Sequence, residues 1–273
     1  MLSLHTNAAS LTGQNTLTST NKALSTSLTR LSTGYRVNSA MDDAAGLQIA
    51  TRLNAQSRGM SVAMRNTQNG ISMLQTAEGA LQETTNIMLR MKDLVTEAAS
   101  DTANADDRTA IGAELTALEA ELTNIFTNTS FGGRTLFTGA DALAATTQFQ
   151  IGASATETMT LTGVTIPTTF TTTVTAVADA ASGATAITTI NDKIKEISTF
   201  RSALGAVANR LDHAFNNLGN MRINTESARG RIMDVDYASE SANMTTKQML
   251  MQAGTSMLKQ SNAMSQLALS LLQ

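Results

Sequence analysis

The 273-residue chain has a net charge of −3, one proline, no tryptophan and no cysteine. It therefore lacks a basic footprint for nucleic acid, and it can form no disulfide, thiolate metal site or cysteine nucleophile. His5 and His213 are its two histidines, so a multi-histidine metal site within one chain is excluded, and no apolar run reaches the ~18 residues of a membrane span.

The first acidic residue is Asp42 and the last is Glu240. Matching acid-free ends around a different middle suggest that the ends meet in space. In residues 1–35 the leucines Leu17, Leu24, Leu28 and Leu31, following Leu2, Leu4 and Leu11, make a heptad seam. Ser, Thr and Asn fill the gaps. Such a helix is marginal alone in water, so the expected N-terminus is mobile in the monomer and orders in an assembly. The stretch 30–50 reads as helix, break, helix. Gly34, Asn38 and Ser39 interrupt it, and Ser39 is expected to cap the next helix with Asp42 and Asp43 in its first turn. Carboxylates there favour the positive helix end by about 0.3–1 kcal/mol each, so the pair reads as capping rather than catalytic.

Residues 44–100 predict one long helix with a column at every seventh position: Met60, Thr67, Leu74, Leu81, Met88 and Val95. The partner column holds Met64 and Ile71, then turns polar at Glu78 and Thr85, which suits a multi-helix bundle better than a two-stranded zipper. Gly59, Gly70 and Gly79 in that helix suggest close helix contacts or bends. A turn and cap at 101–107 precede Ile111, Leu115, Leu118, Leu122 and Ile125, a helix returning antiparallel and ending near Asn128. Residues 129–182 are rich in Thr and Gly. Within them 147–152 and 158–163 alternate with period two and read as a β-hairpin, 134–138 as a further strand, and 165–175, with Pro167, as an edge or loop. Helix returns over 185–230 with a seam from Ile190 to Leu218 that is interrupted by Arg201, expected to snorkel or to pair with a bundle acid. The last segment, 235–273, carries Leu250, Met257, Met264 and Leu271 at every seventh position, with Met251, Leu258 and Leu272 beside them.

No phosphate-binding glycine loop, HExxH or Ser-His-Asp set is present, so neither an enzyme nor a cofactor is indicated. The residues describe a mainly α protein: a long antiparallel helical bundle or coiled coil, a small β-hairpin region at about 131–182, and two under-charged ends that need partners. A self-assembling structural protein fits this. A cytoplasmic coiled-coil signalling or binding module is the rival, but it would carry richly charged flanks.

The run Arg30-Leu31-Ser32-Thr33-Gly34-Tyr35-Arg36-Val37-Asn38-Ser39, continuing through Asp42-Asp43-Ala44-Ala45-Gly46, resembles the N-terminal signature of bacterial flagellins. So do Asn69-Gly70-Ile71-Ser72 and Glu78-Gly79-Ala80-Leu81. Leu204-Gly205-Ala206-Val207-Ala208-Asn209-Arg210-Leu211, Asn217-Leu218-Gly219-Asn220, Asp236-Tyr237-Ala238 and Gln252-Ala253-Gly254-Thr255-Ser256 are similar to the flagellin C-terminal helix. The resemblance spans roughly 1–138 and 187–273, with the short 139–186 leaving little or no variable outer domain. It implies that residues 1–43 and 233–273 form a terminal coiled-coil domain lining the filament core. Leu17, Leu24, Leu28, Leu31, Leu250, Met257, Met264 and Leu271 would pack there. Gly34, Asn38, Ser39, Asp42 and Asp43 would connect that domain to a rod-like helical domain at 44–232. It also implies a homo-oligomeric helical filament, an export chaperone at the C-terminal helix, and filament cap and hook-junction proteins as partners. Export unfolded through the flagellar type III system, without a cleaved signal, would place the protein in the extracellular flagellum. This reverses the cytoplasmic reading that the absence of a signal peptide gives alone. No membrane insertion is implied. Three positions, Arg90, Leu94 and Glu114, match the surface through which the host Toll-like receptor senses flagellins. The hook–filament junction protein shares the N-terminal signature and is the alternative within the family.

Overall fold

The structure is a computed structural model that describes residues 7–138, 143, 147–161 and 179–270, with side chains omitted at 180 and 264–270. The readings made for Leu2, Leu4, His5, Leu271, Leu272 and 165–175 fall outside the described residues, as does the side chain of Met264. Five described helices, α1 (Ala8–Thr33), α2 (Ala44–Ala98), α3 (Ala105–Asn128), α4 (Ala180–Met233) and α5 (Tyr237–Ser270), carry the fold. Four short strands, β1 (Ser130–Phe131), β2 (Arg134–Thr135), β3 (Gln148–Gln150) and β4 (Thr158–Thr160), lie between α3 and α4. The chain forms two compact units. A terminal unit comprises Met1–Ala55 and Asn224–Gln273, and a middle unit comprises Gln56–Ile223.

In the middle unit the seven-residue column of α2 is buried throughout, Met60, Thr67, Leu74, Leu81, Met88 and Val95 each being at most 2% exposed. Thr67 is tolerated because its hydroxyl donates to the Ala63 carbonyl at 2.8 Å. Leu115, Leu122 and Phe126 of α3 join this core with Ile190, Ile197, Phe200, Leu204 and Leu211 of α4. Both neighbours run antiparallel to α2. Arg90 meets Glu114, and Glu78 meets Arg201 at 3.8 Å. The two seam residues that broke the apolar pattern, Glu78 and Arg201, are thus each other's partner.

The turns follow local chemistry. The last carbonyls of α2 lack intrahelical partners, and Arg108 donates to the carbonyls of Ala98 and Ser100 at 3.0 and 3.1 Å. Asn104 caps α3 in a reciprocal capping box with Asp107. Asp179 caps α4, accepting from the Ser182 amide at 2.7 Å, which holds its carboxyl below the usual range. β1 and β2 pair antiparallel across Gly132-Gly133. Both glycines have positive φ, 60° and 85°, as a tight two-residue hairpin turn demands.

β3 and β4 pair antiparallel, with Gln148 opposite Thr160 and Phe149 opposite Met159. The inward residues Phe149 and Met159 are buried and the alternate ones face out, as the period-two reading requires. The hairpin explains two glycines of α2. A Cβ at Gly59 would lie 2.6 Å from the Ala153 Cβ, and one at Gly70 would lie 2.9 Å from the Phe149 ring, whereas Gly79 faces nothing within 4 Å. The close contacts at Gly59 and Gly70 are thus made chiefly by the β-hairpin segment, although Leu211 of α4 also comes within 3.3 Å at Gly70. Phe137 joins the sheets to the helices, its ring 4.9 Å from Phe126 and 6.3 Å from Phe200.

Candidate assembly surface

The terminal unit is built on α1 and α5, which run antiparallel. Asn7 caps α1 by accepting from the Ser10 amide, and its Nδ2 donates to the Ser261 carbonyl at 3.4 Å. A Cβ added at Gly13 would meet Leu258, and one at Gly254 would come 2.8 Å from Leu17. Near the other end Arg30 faces Glu240 at 3.7 Å. The covered stripe of α1 is Ser10, Gly13, Leu17, Thr20, Leu24, Ser27, Leu31 and Gly34, alternating by three and four. On α5 it is Glu240, Met244, Lys247, Met251, Gly254, Leu258 and Ser261, again alternating by three and four. This is heptad packing. Leucines and methionines alternate along it with small residues, and Gly13 and Gly254 let the two backbones approach closely where Leu258 and Leu17 cross them. Glu240 is 8% exposed, and burial of a carboxylate is tolerable because Arg30 is beside it.

The seam does not use every apolar column. Leu17, Leu24 and Leu31 lie on it, but Leu28 is 49% exposed and Leu11 57%. On α5 the seam runs through Met251 and Leu258. The adjoining column, Leu250 and Met257, is 50% and 70% exposed, with Met249 beside it at 58%. The rest of the α1 surface is hydroxyl-rich but inward-bonded. Thr12, Thr16, Thr18, Thr20, Thr26, Thr29 and Thr33 each donate their hydroxyl to the carbonyl four residues back.

The breaks after α1 and before α5 are zipped together. Gly34, at φ 76°, ends α1 with its amide on the Arg30 carbonyl, a left-handed cap that glycine adopts without a Cβ clash. The Val235 amide donates to the Gly34 carbonyl and the Arg36 amide to the Met233 carbonyl. The Arg36 guanidinium reaches the Ile232 carbonyl at 2.8 Å, and Val37 is 1% exposed. Asn38 donates through Nδ2 to the Tyr35 carbonyl at 2.8 Å. Asp42 accepts from the amides of Ser39 and Asn38 at 2.9 and 3.1 Å, and these donors hold its carboxyl below the usual 3.8. Ser39 does not cap α2. Asp43 does, accepting from the Gly46 amide at 2.8 Å through Oδ1, while Ser39 and Asp42 close the preceding turn. The physical reason is that Asp42 closes an extra turn on the Ser39 and Asn38 amides, which lengthens the connection and brings the second carboxylate, not the serine, to the start of the helix. Asp236 plays the same part for α5, accepting from the Ala238 amide at 3.0 Å.

Arg90 and Glu114 form an exposed ion pair at 2.8 Å, which raises the Arg90 pKa. Leu94, one turn further along α2, is 4% exposed in the core. Burial raises the Glu119 pKa. No group of three or more His, Cys, Asp or Glu that could hold a metal exists among the described residues, and no described helix is long and apolar enough to cross a membrane. The surface chemistry available is apolar packing and hydrogen bonding.

Two family models match the chain, that of the bacterial flagellin N-terminal helical region over residues 4–142 and that of the C-terminal helical region over residues 187–272. Flagellin A of Vibrio cholerae (serotype O1, classical Ogawa 395) is 34% identical over an alignment of 380 positions that covers 100% of both chains. Flagellin FlaB2 of Treponema pallidum is 36% identical over 281 positions, covering 98% of each. Among solved structures, Bacillus cereus flagellin superposes with a TM-score of 0.50 at 35% identity, over 56% of this chain and 88% of that one. A putative flagellar hook-associated protein from Vibrio parahaemolyticus superposes with a TM-score of 0.59 over 71% of this chain and 100% of that one. At 15% identity this second likeness is one of fold alone.

Proposed function

The chain belongs to the bacterial flagellin family as a short form with little outer domain, a structural subunit of the flagellar filament, and we propose that its exposed α1 and α5 columns are buried between subunits of that filament. Flagellins self-assemble into a filament of identical subunits, and the homologues form it outside the cell. The observation that carries the proposal is the doubling of apolar columns on α5. One column packs on α1 within the chain, while Leu250 and Met257 stand open beside it. Two adjoining apolar stripes are what a helix needs when it has neighbours on two sides. Burying a Leu or Met side chain returns about 1.5–3 kcal/mol, which a monomer forgoes at each of these positions.

In this reading residues 1–43 and 233–273 line the filament core, Met264 and Leu271 continuing in sequence the seven-residue spacing of Leu250 and Met257, and 44–232 form the surrounding rod. Gly34, Asn38, Ser39, Asp42 and Asp43 connect the two. The subunit is non-catalytic and is exported unfolded by the flagellar type III route. The part of α5 beyond Glu240, which carries no acidic residue, is the segment that an export chaperone would cover beforehand, and filament cap and hook-junction proteins meet the same ends. Arg90, Glu114 and Leu94 form the Toll-like receptor contact, the first two by direct exposure and Leu94 by supporting the α2 surface. Loss of receptor activation on Glu114→Ala and Leu94→Ala, with retained filament growth, is the expected result; unchanged activation sinks the residue assignment.

Seeded growth tests the assembly proposal. Depolymerised subunit, mixed with short filament seeds and viewed by electron microscopy, is expected to elongate them. Trypsin is expected to cut the free subunit first at both ends and to leave the middle unit. A chain that resists throughout and never elongates seeds overturns the proposal and favours the coiled-coil binding module or the junction protein.

A further inference from the structure

With no cysteine or tryptophan in the chain, its fifteen methionine thioethers are the principal groups for mild two-electron oxidation. The structure divides them sharply. Met60, Met73, Met88, Met91 and Met159 are 7% exposed or less, whereas Met249 and Met257 are 58% and 70% exposed. Met41, in the turn before α2, is 95% exposed. Oxidation rate follows access to the sulfur, so the open pair lies in the first-reacting class. Both sit on the α5 surface beside Leu250, off the seam with α1.

We propose that Met249 and Met257 are a peroxide-sensitive modification site of the unassembled subunit, and that their sulfoxides block its addition to the filament until they are reduced. This rests on the reading of the α5 column as a face buried in the filament. The thioether sulfur attacks one oxygen of hydrogen peroxide. An S–O bond forms and the O–O bond breaks, so the sulfur loses two electrons. The departing hydroxide takes the sulfonium-bound hydroxyl proton and leaves as water. The product is polar and chiral where an apolar contact is required. Burying its oxygen unpaired is costly enough to slow addition by roughly tenfold or more. The core methionines of the middle unit, Met60, Met73, Met88, Met91 and Met159, are enclosed, so that unit keeps its fold and the lesion is confined to assembly. Methionine sulfoxide reductases reverse it.

The test treats depolymerised full-length subunit with dilute hydrogen peroxide, maps sulfoxides by peptide mass spectrometry and measures seeded elongation. The expected result is early oxidation at Met249 and Met257, a loss of elongation with far-UV circular dichroism unchanged, and recovery after treatment with the two sulfoxide reductases. A Met249→Leu/Met257→Leu subunit should keep after peroxide whatever elongation rate it shows before it, whereas the unsubstituted subunit loses its own rate. Resistance conferred by Met41→Leu instead overturns the assignment to α5. Equal elongation by oxidised subunit, or oxidation of Met60 and Met88 at the same rate, overturns the proposal while leaving the assembly reading intact. If untreated subunit fails to elongate seeds, the assembly reading falls first and this one with it.

Discussion

Along α2 in the middle unit the buried positions include Met60, Thr67, Leu74, Leu81, Met88 and Val95; along α1 in the terminal unit they are Ser10, Leu24 and Ser27, with Gly13 and Leu17 half-covered. Both helices repeat by heptads, but α2 meets a cluster that includes Phe126, Phe137 and Phe200, whereas the α1 stripe alternates leucines with serine, glycine and threonine. The terminal pair has a single seam, in which small residues alternate with leucines and methionines, and it leaves Leu11, Leu28, Leu250 and Met257 exposed. The difference teaches where folding is completed. The middle unit closes a core within one chain, whereas the terminal unit closes a contact line and needs further helices to close a core.

Substitutions can sharpen that contrast. Phe200→Ala in the middle unit should cost about 3–5 kcal/mol, read by denaturant unfolding of depolymerised subunit. Leu250→Ala should change the same measurement by less than about 0.5 kcal/mol while seeded elongation falls. Equal unfolding costs at both sites would break the comparison. Next in size is a pair of α2 glycines. Gly59→Ala drives a methyl against Ala153 and should destabilise by about 1–3 kcal/mol through overpacking. Gly79→Ala, with open space around it, should stabilise by about 0.4–1 kcal/mol. Thermal melts of the two variants should move in opposite directions.

Much of this was legible in residues, for reasons that differ by region. The α2 column could be read because large side chains at most seventh positions announce one face; Arg201 was expected to snorkel or to pair with a bundle acid, and only the structure names Glu78 as that acid. The β-hairpin at 148–160 showed in its alternation. On α5 the sequence offers two equally apolar columns, and periodicity cannot choose between them; the choice is made by Gly254 and Gly13, which allow close approach but add no hydropathy signal. The cap of α2 was misread by four residues because Ser39, Asp42 and Asp43 are all good caps, and only the length of the turn selects Asp43.

At the junction, Asp43→Ala should remove the α2 cap and cost about 0.5–2 kcal/mol, measured by thermal unfolding of the subunit. The smallest expected effect is a change of acid sensitivity at Asp42. Its carboxyl is held below the ordinary value in the folded chain by the Ser39 and Asn38 amides. Its stabilising contribution is therefore present above the unfolded-state value of 3.8 and lost as pH falls through the lower folded one. Asp42→Asn should flatten the acid limb of the stability curve in that window and leave its slope near neutrality unchanged.

The inward-bonded threonines of α1 have a consequence for motion between neighbours. Each of these hydroxyl protons is committed to its own helix, so the threonines turn chiefly methyl groups outward between the exposed polar side chains of Gln14, Asn15, Asn21 and Lys22. A helix laid against those methyl groups finds few threonine donors to lose when it shifts by a fraction of a turn. Contacts of this kind hold by area and not by address, which makes α1 a bearing surface: one that resists separation yet lets adjacent rods slip lengthwise at small cost.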